Sequence, residues 1–246
     1  MEPPSSRTRL VVAEGNLRGF RGLTVDAFGC LLRGGPGQLP NAMRKVVGAR
    51  EETRNVQSPE DLWRDTFRRY IRANPFLSFR EVHRRTIQDF FKALGISEDV
   101  DGSIDAAFDE YRSSSAYPEV SAVLRDVEQE VPVAVVSNMD TTALLGALQR
   151  NGLTFTFIIT SDEEQRYKPD PSLFQRAVRY LGLPAANVLH VGSSYAEDIV
   201  GASLTGMPAL LMQRPGAPEE PRGEAQGTVH DLQQVNDFIR NSWKES

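Results

Sequence analysis

The chain has 246 residues, with 28 Lys or Arg against 33 Asp or Glu, which gives a formal net charge of −5. A mildly acidic chain has no general attraction for nucleic acid or anionic membranes, so we expect neither as a partner. The one cysteine, Cys30, excludes an intramolecular disulfide, and no apolar stretch approaches the roughly 20 residues of a membrane helix. These features favour a cytoplasmic protein with an ordinary buried core.

The first ten residues are polar and rich in proline, and we expect residues 1–21 to form a loose N-terminal tail without a signal peptide. Short apolar runs rich in β-branched residues follow, separated by helical patterns. The runs cover residues 22–28, 131–138, 155–160, 187–193 and 208–212. Runs of this kind predict strands buried on both faces of a parallel sheet. Their alternation with helices predicts an α/β doubly wound fold, in which ligands bind beyond the carboxyl ends of the strands.

One region breaks this alternation. Between residues 34 and 116 only helical patterns occur, and one of them begins with Ser58 as a predicted N-cap, three residues before Asp61. We interpret this insert as a cap over the strand ends, and a purely structural helical subdomain is the alternative. The predicted core therefore consists of residues 22–33 and 117–246, interrupted by a cap of residues 34–116. The last 17 residues of the chain predict an amphipathic closing helix.

Polar side chains follow several predicted strands at the edge where ligands bind. Asp26 ends the first apolar run, and a carboxylate facing a cleft there could act as a nucleophile and form an ester. The turn at Gly29 exposes backbone N–H groups that suit an anion. Ser137 and Asn138 end the second run and offer hydroxyl and amide donors.

Two charged residues complete this set. Lys168 precedes Pro169, which disfavours helix at the lysine, and its cation could balance an anionic substrate and Asp26. Asp198 lies five residues beyond Ser193, where it could orient or activate water. Each feature alone has an ordinary explanation as a cap, turn or solvated loop residue. Their order along the predicted elements favours a common site.

The four segments resemble the motifs of the haloacid dehalogenase-like hydrolase superfamily. "VDAFGCLL" resembles the first motif, "VVSNMD" the second, "YKPDP" the third and "HVGSSYAEDIVGA" the fourth. The resemblance covers nearly the whole chain after about residue 20. It implies a Rossmann-like core, an α-helical cap inserted after the first motif, and a nucleophile at Asp26.

Two positions depart from the phosphatases of that superfamily. Those phosphatases usually carry an acid two residues after the nucleophile, where this chain has Phe28, and a Mg²⁺-binding Asp after the motif-four glycine, where it has Ser193. Phe has no proton to give, and a neutral hydroxyl is a poor ligand for a hard cation. A phosphoryl substrate needs both groups, whereas a halide leaves as a stable anion. We therefore expect no cofactor, with Mg²⁺ only if the protein is an atypical phosphatase.

The 2-haloacid dehalogenase branch is similar to the chain at these points. By this resemblance Asp26 attacks the substituted carbon and Lys168 compensates charge. Asp198, with Ser193, then positions the water that hydrolyses the ester. The predicted substrate-binding residues are Phe28, Gly29, Cys30, Ser137, Asn138, Ser193 and Tyr195.

The match to the dehalogenases is incomplete. Family members usually carry Thr at the place of Cys30, Asn at the place of Tyr195 and an aromatic hydroxyl at the place of Phe174. The cap arginine that grips the halide cannot be assigned, and a solvated helix face is the alternative for every candidate. The candidates are Arg64, Arg68, Arg69, Arg80, Arg84 and Arg85. Glu197 lies in a predicted first turn, where it could contact the helix dipole or replace a missing acidic group. His190 is expected to be a satisfied core residue.

The sequence thus predicts a hydrolase of dehalogenase type that acts on a small anionic molecule, as a monomer or a homodimer. Two alternatives remain: an atypical Mg²⁺-dependent phosphatase, and a non-catalytic binding or regulatory protein that keeps the fold and an anion pocket. Retention of Asp26, Ser137, Lys168 and Asp198 argues against the second alternative.

Overall fold

The structure, a computed structural model, describes residues 19–35, 38–48, 58–217 and 219–244. The expected N-terminal tail lies outside the described residues up to residue 18. Parallel strands form one sheet in the order β3-β2-β1-β4-β5-β6. The strands are β1 (Gly22–Val25), β2 (Val133–Ser137), β3 (Phe157–Thr160), β4 (Val188–Gly192), β5 (Ala209–Met212) and β6 (Gly227–Val229). The predicted α/β doubly wound sheet is confirmed.

Helices occupy the connections between the strands. They are α1 (Asn41–Gly48), α2 (Pro59–Ile71), α3 (Phe79–Ala93), α4 (Val100–Ser113), α5 (Val120–Glu128), α6 (Thr141–Arg150), α7 (Ser161–Glu164), α8 (Pro171–Leu181), α9 (Val200–Leu204) and α10 (Leu232–Lys244). A π-helical turn, Tyr195–Ile199, leads into α9. In the part of the chain that the structure describes, no helix combines the length and the apolarity needed to cross a bilayer.

The two faces of the sheet bury different apolar sets because successive side chains of a strand point to opposite faces. Leu23 lies between Val133 and Leu189 of the neighbouring strands, and this face packs against α5, α6 and α10. Ala134 and Leu211 belong to the opposite face, which packs against α8 and α9. Helices on both faces bury the strands, as their continuous apolar runs predict.

The inserted helices α1 to α4 form the cap. Trp63 of α2 packs edge-on against Phe90 of α3. Buried among these rings, His83 bonds Phe79 O through Nδ1 at 2.9 Å and the Tyr111 hydroxyl through Nε2 at 2.8 Å. The cap therefore has an aromatic core of its own. The boundaries predicted for the cap, residues 34–116, stay a prediction.

The structure can be compared with the sequence predictions for the start of α2, for strand β6 and for the closing helix. Ser58 caps α2, since its Oγ accepts a hydrogen bond from the Asp61 amide at 3.1 Å, as expected. Strand β6 was not predicted, because its three residues Gly, Thr and Val form no recognisable apolar run. The predicted closing helix is α10, and its bounds exclude His230 and Asp231.

Two helical glycines should respond to the same substitution with opposite signs. A Cβ on Gly201 would lie 2.2 Å from the Phe174 ring, whereas on Gly146 it would meet the Arg112 side chain at 3.6 Å. Gly201→Ala should lower the free energy of unfolding by about 1–3 kcal/mol through overpacking. Gly146→Ala, the matched control, should raise it by about 0.5–1 kcal/mol because alanine favours helix. Urea titration measures both, and equal effects of the two would contradict this packing.

Candidate active site

A cavity lies beyond the carboxyl ends of three neighbouring strands. Strand β1 lies between β2 and β4, so the residues that end or follow these strands, Asp26, Ser137 and Gly192, are brought side by side. The cavity has a volume of about 550 Å³. Its lining joins these strand ends to residues of α2 and of the loop after β5. The cavity therefore lies at the edge of the sheet where the sequence predicted a site.

The Lys168 ammonium group joins two carboxylates at the base of the cavity. Its Nζ donates to Asp26 Oδ1 at 2.8 Å and to Asp198 Oδ1 at 2.5 Å. The third proton goes to the Val136 carbonyl oxygen at 3.1 Å. All three donors of the ammonium group are thus used, and the side chain is only 2% exposed. The three residues to which the sequence assigned catalysis form one hydrogen-bonded unit.

His190 and Thr24 form a chain of polar contacts that leads from Asp198 into the sheet. His190 Nε2 lies 3.4 Å from Asp198 Oδ1, and His190 Nδ1 lies 2.9 Å from the Thr24 hydroxyl. Thr24 and His190 face each other in the β1–β4 register. The expectation that His190 is a satisfied core residue therefore fits its contacts, and the same contacts tie it to the site.

The environment moves the pKa values of the two carboxyl groups in opposite directions. Burial, aided by Asp198 and opposed by Lys168, raises the pKa of Asp26 to about 6. Burial alone would also raise the pKa of Asp198, but Lys168 and His190 hold it below its ordinary value. Burial would lower the pKa of Lys168, yet the two carboxylates raise it above its ordinary range. At neutral pH the unit therefore contains one cation between two anions.

Asn138 organises the residues around Lys168. Its Oδ1 accepts a hydrogen bond from the Lys168 amide at 2.7 Å, and its Nδ2 lies 3.3 Å from the Lys168 carbonyl oxygen. The same Nδ2 donates to Glu197 Oε2 at 3.0 Å. Glu197 also lines the cavity, and burial raises its pKa to about 7. The sequence left the role of Glu197 open, and the structure brings this carboxyl group to the site.

The loop after β1 approaches the loop after β4 very closely. Gly29 has a φ of 82°, which favours glycine, and a Cβ there would lie 2.5 Å from Ser193 Oγ. Ser193 Oγ donates to the Phe28 carbonyl oxygen at 3.0 Å. The Phe28 ring turns to the cap and packs edge-on against Tyr111, with ring centroids 5.9 Å apart. Gly29 thus permits a direct bond between the two loops.

The groups around Asp26 do not fit a magnesium ion. The Lys168 ammonium group occupies the position between the two carboxylates, and Ser193 supplies a neutral hydroxyl. That hydroxyl donates to the Phe28 carbonyl oxygen, and as a neutral group it is a weak ligand for a hard cation. Among the described residues, no three His, Cys, Asp or Glu side chains are placed to hold a metal together.

The structure separates the six candidate arginines of the cap. Arg64 and Arg68 of α2 line the cavity. Arg64 is paired with Asp61 of the same helix, and Arg68 Nη2 lies 3.9 Å from Glu220 Oε1. The other four are paired with acidic residues of the cap: Arg69 with Asp89, Arg80 with Asp105, Arg84 with Asp101 and Glu81, and Arg85 with Glu81. The solvated helix face that the sequence left as the alternative describes these four better than a substrate contact does.

The remaining predicted residues divide between the cavity and the core. Tyr195 lines the cavity, and its amide donates to Glu220 Oε2 at 3.1 Å. Cys30 was predicted to contact substrate, but its thiol is fully buried, lies outside the cavity lining and contacts the Val191 carbonyl oxygen at 3.7 Å. The turn after Asp26 directs Cys30 inward, away from the cavity. Phe174 is buried against His190 in the core.

Comparison with known proteins gives matches to both dehalogenases and phosphatases. (S)-2-haloacid dehalogenase 1 of Pseudomonas sp. (strain CBS-3) is 28% identical over 208 residues, covering 82% of this chain and 88% of that protein. Phosphoserine phosphatase of Thermus thermophilus is 31% identical over 165 residues. The match covers 64% of each chain, so this chain spans slightly less than two thirds of that phosphatase.

The fold also matches solved structures. The L-2-haloacid dehalogenase from Xanthobacter autotrophicus superposes with a TM-score of 0.74 at 22% identity, over 90% of this chain and 98% of that one. Because the identity is this low, the likeness concerns the fold, a Rossmann-like core with a helical cap. Residues 20–206 match the family of haloacid dehalogenase-like hydrolases. The chain is therefore a haloacid dehalogenase-like hydrolase, related to the 2-haloacid dehalogenases.

Proposed function

We propose that the protein is a metal-independent hydrolase that displaces a leaving group from carbon through an ester on Asp26. The observation that carries this proposal is the position of Asp26. Lys168 holds its Oδ1, while the carboxyl group remains 8% exposed and lines the cavity. A carboxylate oriented in this way can attack an electrophile in the cavity.

The first step forms a bond from an Asp26 carboxylate oxygen to the substituted carbon of the substrate. The bond to the leaving group breaks, and both of its electrons depart with a halide ion. Halide needs no proton, so the absence of an acid at Phe28 does not hinder this step. Lys168 keeps Asp26 ionised and offsets the negative charge near the substrate.

The second step returns Asp26 to its carboxylate form. Water attacks Cγ of the ester, and the bond from Cγ to the substrate oxygen then breaks. We propose that Ser193 and Asp198, which both line the cavity, orient this water. Asp198 also holds Lys168 in place through the 2.5 Å hydrogen bond.

The cavity supports an anionic substrate of small size. Arg64 and Arg68 face it from the cap, and Ser137 faces it from the end of β2. Charged guanidinium groups attract a carboxylate, and one of them could take the halide as it leaves. We further propose that the protein acts in the cytoplasm, where its buried thiol, Cys30, stays reduced.

Intact-protein mass spectrometry tests the covalent step. The protein is quenched in acid after mixing with 2-chloropropionate, and its intact mass should increase. Proteolytic digestion should then assign the increase to the peptide that contains Asp26. Asp26→Asn should remove both this adduct and chloride release, with at least about a 10³-fold loss of rate. Asp126→Asn on the exposed face of α5 is the matched control and should behave as wild type. Turnover by Asp26→Asn at the wild-type rate would overturn the proposal.

Chelation separates this proposal from the phosphatase alternative. Chloride release from 2-chloropropionate should be unchanged in EDTA, because the residues around Asp26 do not suit Mg²⁺. Hydrolysis of p-nitrophenyl phosphate that requires Mg²⁺ and disappears in Asp26→Asn would instead identify a phosphatase. Activity on neither substrate panel, together with no adduct, would identify a binding protein.

The pH dependence of kcat/KM reports the ionisation of the nucleophile. Because Asp26 attacks as the anion and its pKa is raised to about 6, kcat/KM should fall as pH decreases through about 6. Lys168→Met removes the neighbouring cation, so this limb should move up by about 1–3 pH units. Lys92→Met on the exposed face of α3 is the control, and thermal melting checks folding. A limb that stays in place in Lys168→Met would show that Lys168 does not set the ionisation of Asp26.

A further inference from the structure

We propose that Glu197 is the acid–base residue of ester hydrolysis, taking a proton from the attacking water and giving it to the departing alkoxide. This inference rests on the proposed function, since it requires an ester on Asp26. It concerns a step for which the chain lacks an obvious proton carrier: Phe28 has no acidic proton. Four observations support it.

The first observation is the direction of two adjacent carboxyl groups. The π-helical turn Tyr195–Ile199 contains both Glu197 and Asp198. Asp198 is 1% exposed and packs beneath Gly192, where any Cβ would lie 2.1 Å from Asp198 Cβ. Glu197 is half-buried and lines the cavity. Insertions of this kind in helices often occur at functional sites. Both carboxyl groups line the cavity, but the turn buries Asp198 and leaves Glu197 the more exposed of the two.

The second observation is that Glu197 retains a free oxygen. Asn138 Nδ2 donates to Oε2 at 3.0 Å and fixes the orientation of the carboxyl group. Among the described residues, no donor is hydrogen-bonded to Oε1. A carboxylate with one oxygen anchored and the other not bonded to a described residue can accept a proton from water.

The third observation is that both carboxylate oxygens of Asp198 already have hydrogen-bond partners. Its Oδ1 accepts from Lys168 at 2.5 Å and lies 3.4 Å from His190 Nε2. Its Oδ2 accepts from the Ser194 amide at 2.9 Å. Lys168 and His190, against the effect of burial, also lower the pKa of Asp198, so the group binds protons weakly. Asp198 can orient a water molecule, but it is a poor acceptor of its proton.

The fourth observation concerns the charges that face Glu197. Burial raises its pKa to about 7, Lys168 from the neighbouring loop opposes this, and Asp198 and Asp26 add to it. Five further charged residues line the same cavity: Arg64, Arg68, Arg214, Glu219 and Glu220. Formation of the ester removes the negative charge of Asp26. The pKa of Glu197 therefore falls just before a base is needed, which favours the ionised form.

The protons balance over the step. Water oxygen bonds to Cγ of the Asp26 ester, and one water proton moves to Glu197 Oε1. The bond from Cγ to the ester oxygen then breaks, and its electron pair stays on that oxygen, which leaves with the substrate carbon as an alkoxide. Glu197 returns its proton to that alkoxide, which leaves as a hydroxy acid. The second water proton is lost from the new Asp26 carboxyl group to solvent.

A single-turnover experiment with 2-chloropropionate separates formation of the ester from its decay. In Glu197→Gln, which preserves the size and the Asn138 contact, formation should stay within a few-fold of wild type. Decay should slow by about 100-fold, the usual contribution of a general base. In wild type the decay should accelerate as pH rises through a value below about 7, because the esterified Asp26 cannot titrate and no longer raises the pKa of Glu197. This limb should be absent in Glu197→Gln and partly restored in Glu197→Asp.

Glu128→Gln is the matched control, because burial raises the pKa of Glu128 too, but it lies with Pro132 near the amino end of β2. It should decay as wild type does. Decay in Glu197→Gln with the wild-type rate and pH profile would overturn the inference alone. The inference would also be overturned if Glu197→Gln slowed formation and decay of the ester equally and lowered the melting temperature, and if Glu197→Asp restored nothing. An absence of any ester in wild type would instead overturn the proposed function on which the inference rests.

Discussion

The buried ammonium group of Lys168 lies between Asp26 and Asp198, and the remainder of the site depends on this contact. A buried cation is costly unless its protons are bonded, and here two carboxylates and the Val136 carbonyl oxygen take all three. Removing the ammonium group would leave two uncompensated carboxylates in the interior. The same contact favours the ionised form of Asp26, which the proposed attack requires, and leaves Asp198 a weak base. One interaction therefore supports the fold at the strand ends and prepares the site for chemistry.

The order of the strands makes this contact possible. Because β1 lies between β2 and β4, residues distant in sequence meet at one edge, as Asp26, Asn138 and Asp198 do. The pairing of Thr24 with His190 across β1 and β4 then holds Asp198 from behind. The cap completes the enclosure by bringing α2 over the same edge. In this arrangement the strand ends supply the proposed reacting groups, while α2 of the cap supplies positive charge.

The sequence predicted those features that depend on local pattern. Continuous apolar runs indicate buried strands, and a polar residue at the end of a run indicates the edge where ligands bind, as for Asp26 and Ser137. Features that depend on distant partners were not accessible. The pairing of Arg80 with Asp105 joins two helices, so the sequence could not separate it from a substrate contact. Strand β6 is too short to carry a pattern of its own.

The direction in which each side chain of a turn points was also not predictable from the sequence. Glu197 and Asp198 are adjacent, and an α-helical or π-helical turn would direct their side chains differently. The same limit applies to Cys30, whose turn places its thiol in the core. Motifs thus identify the segments that meet at a site, but the local backbone decides which side chains of each segment face the cavity.

The central claim is that water attacks the ester at Cγ of Asp26, so that a carboxylate oxygen of Asp26 leaves with the product. One turnover of 2-chloropropionate with enzyme in excess, carried out in H₂¹⁸O, tests it directly. The account predicts ¹⁸O in the peptide that contains Asp26 and ordinary oxygen in the product hydroxyl. ¹⁸O in the product with an unlabelled Asp26 would show direct attack of water on the substrate and would contradict it.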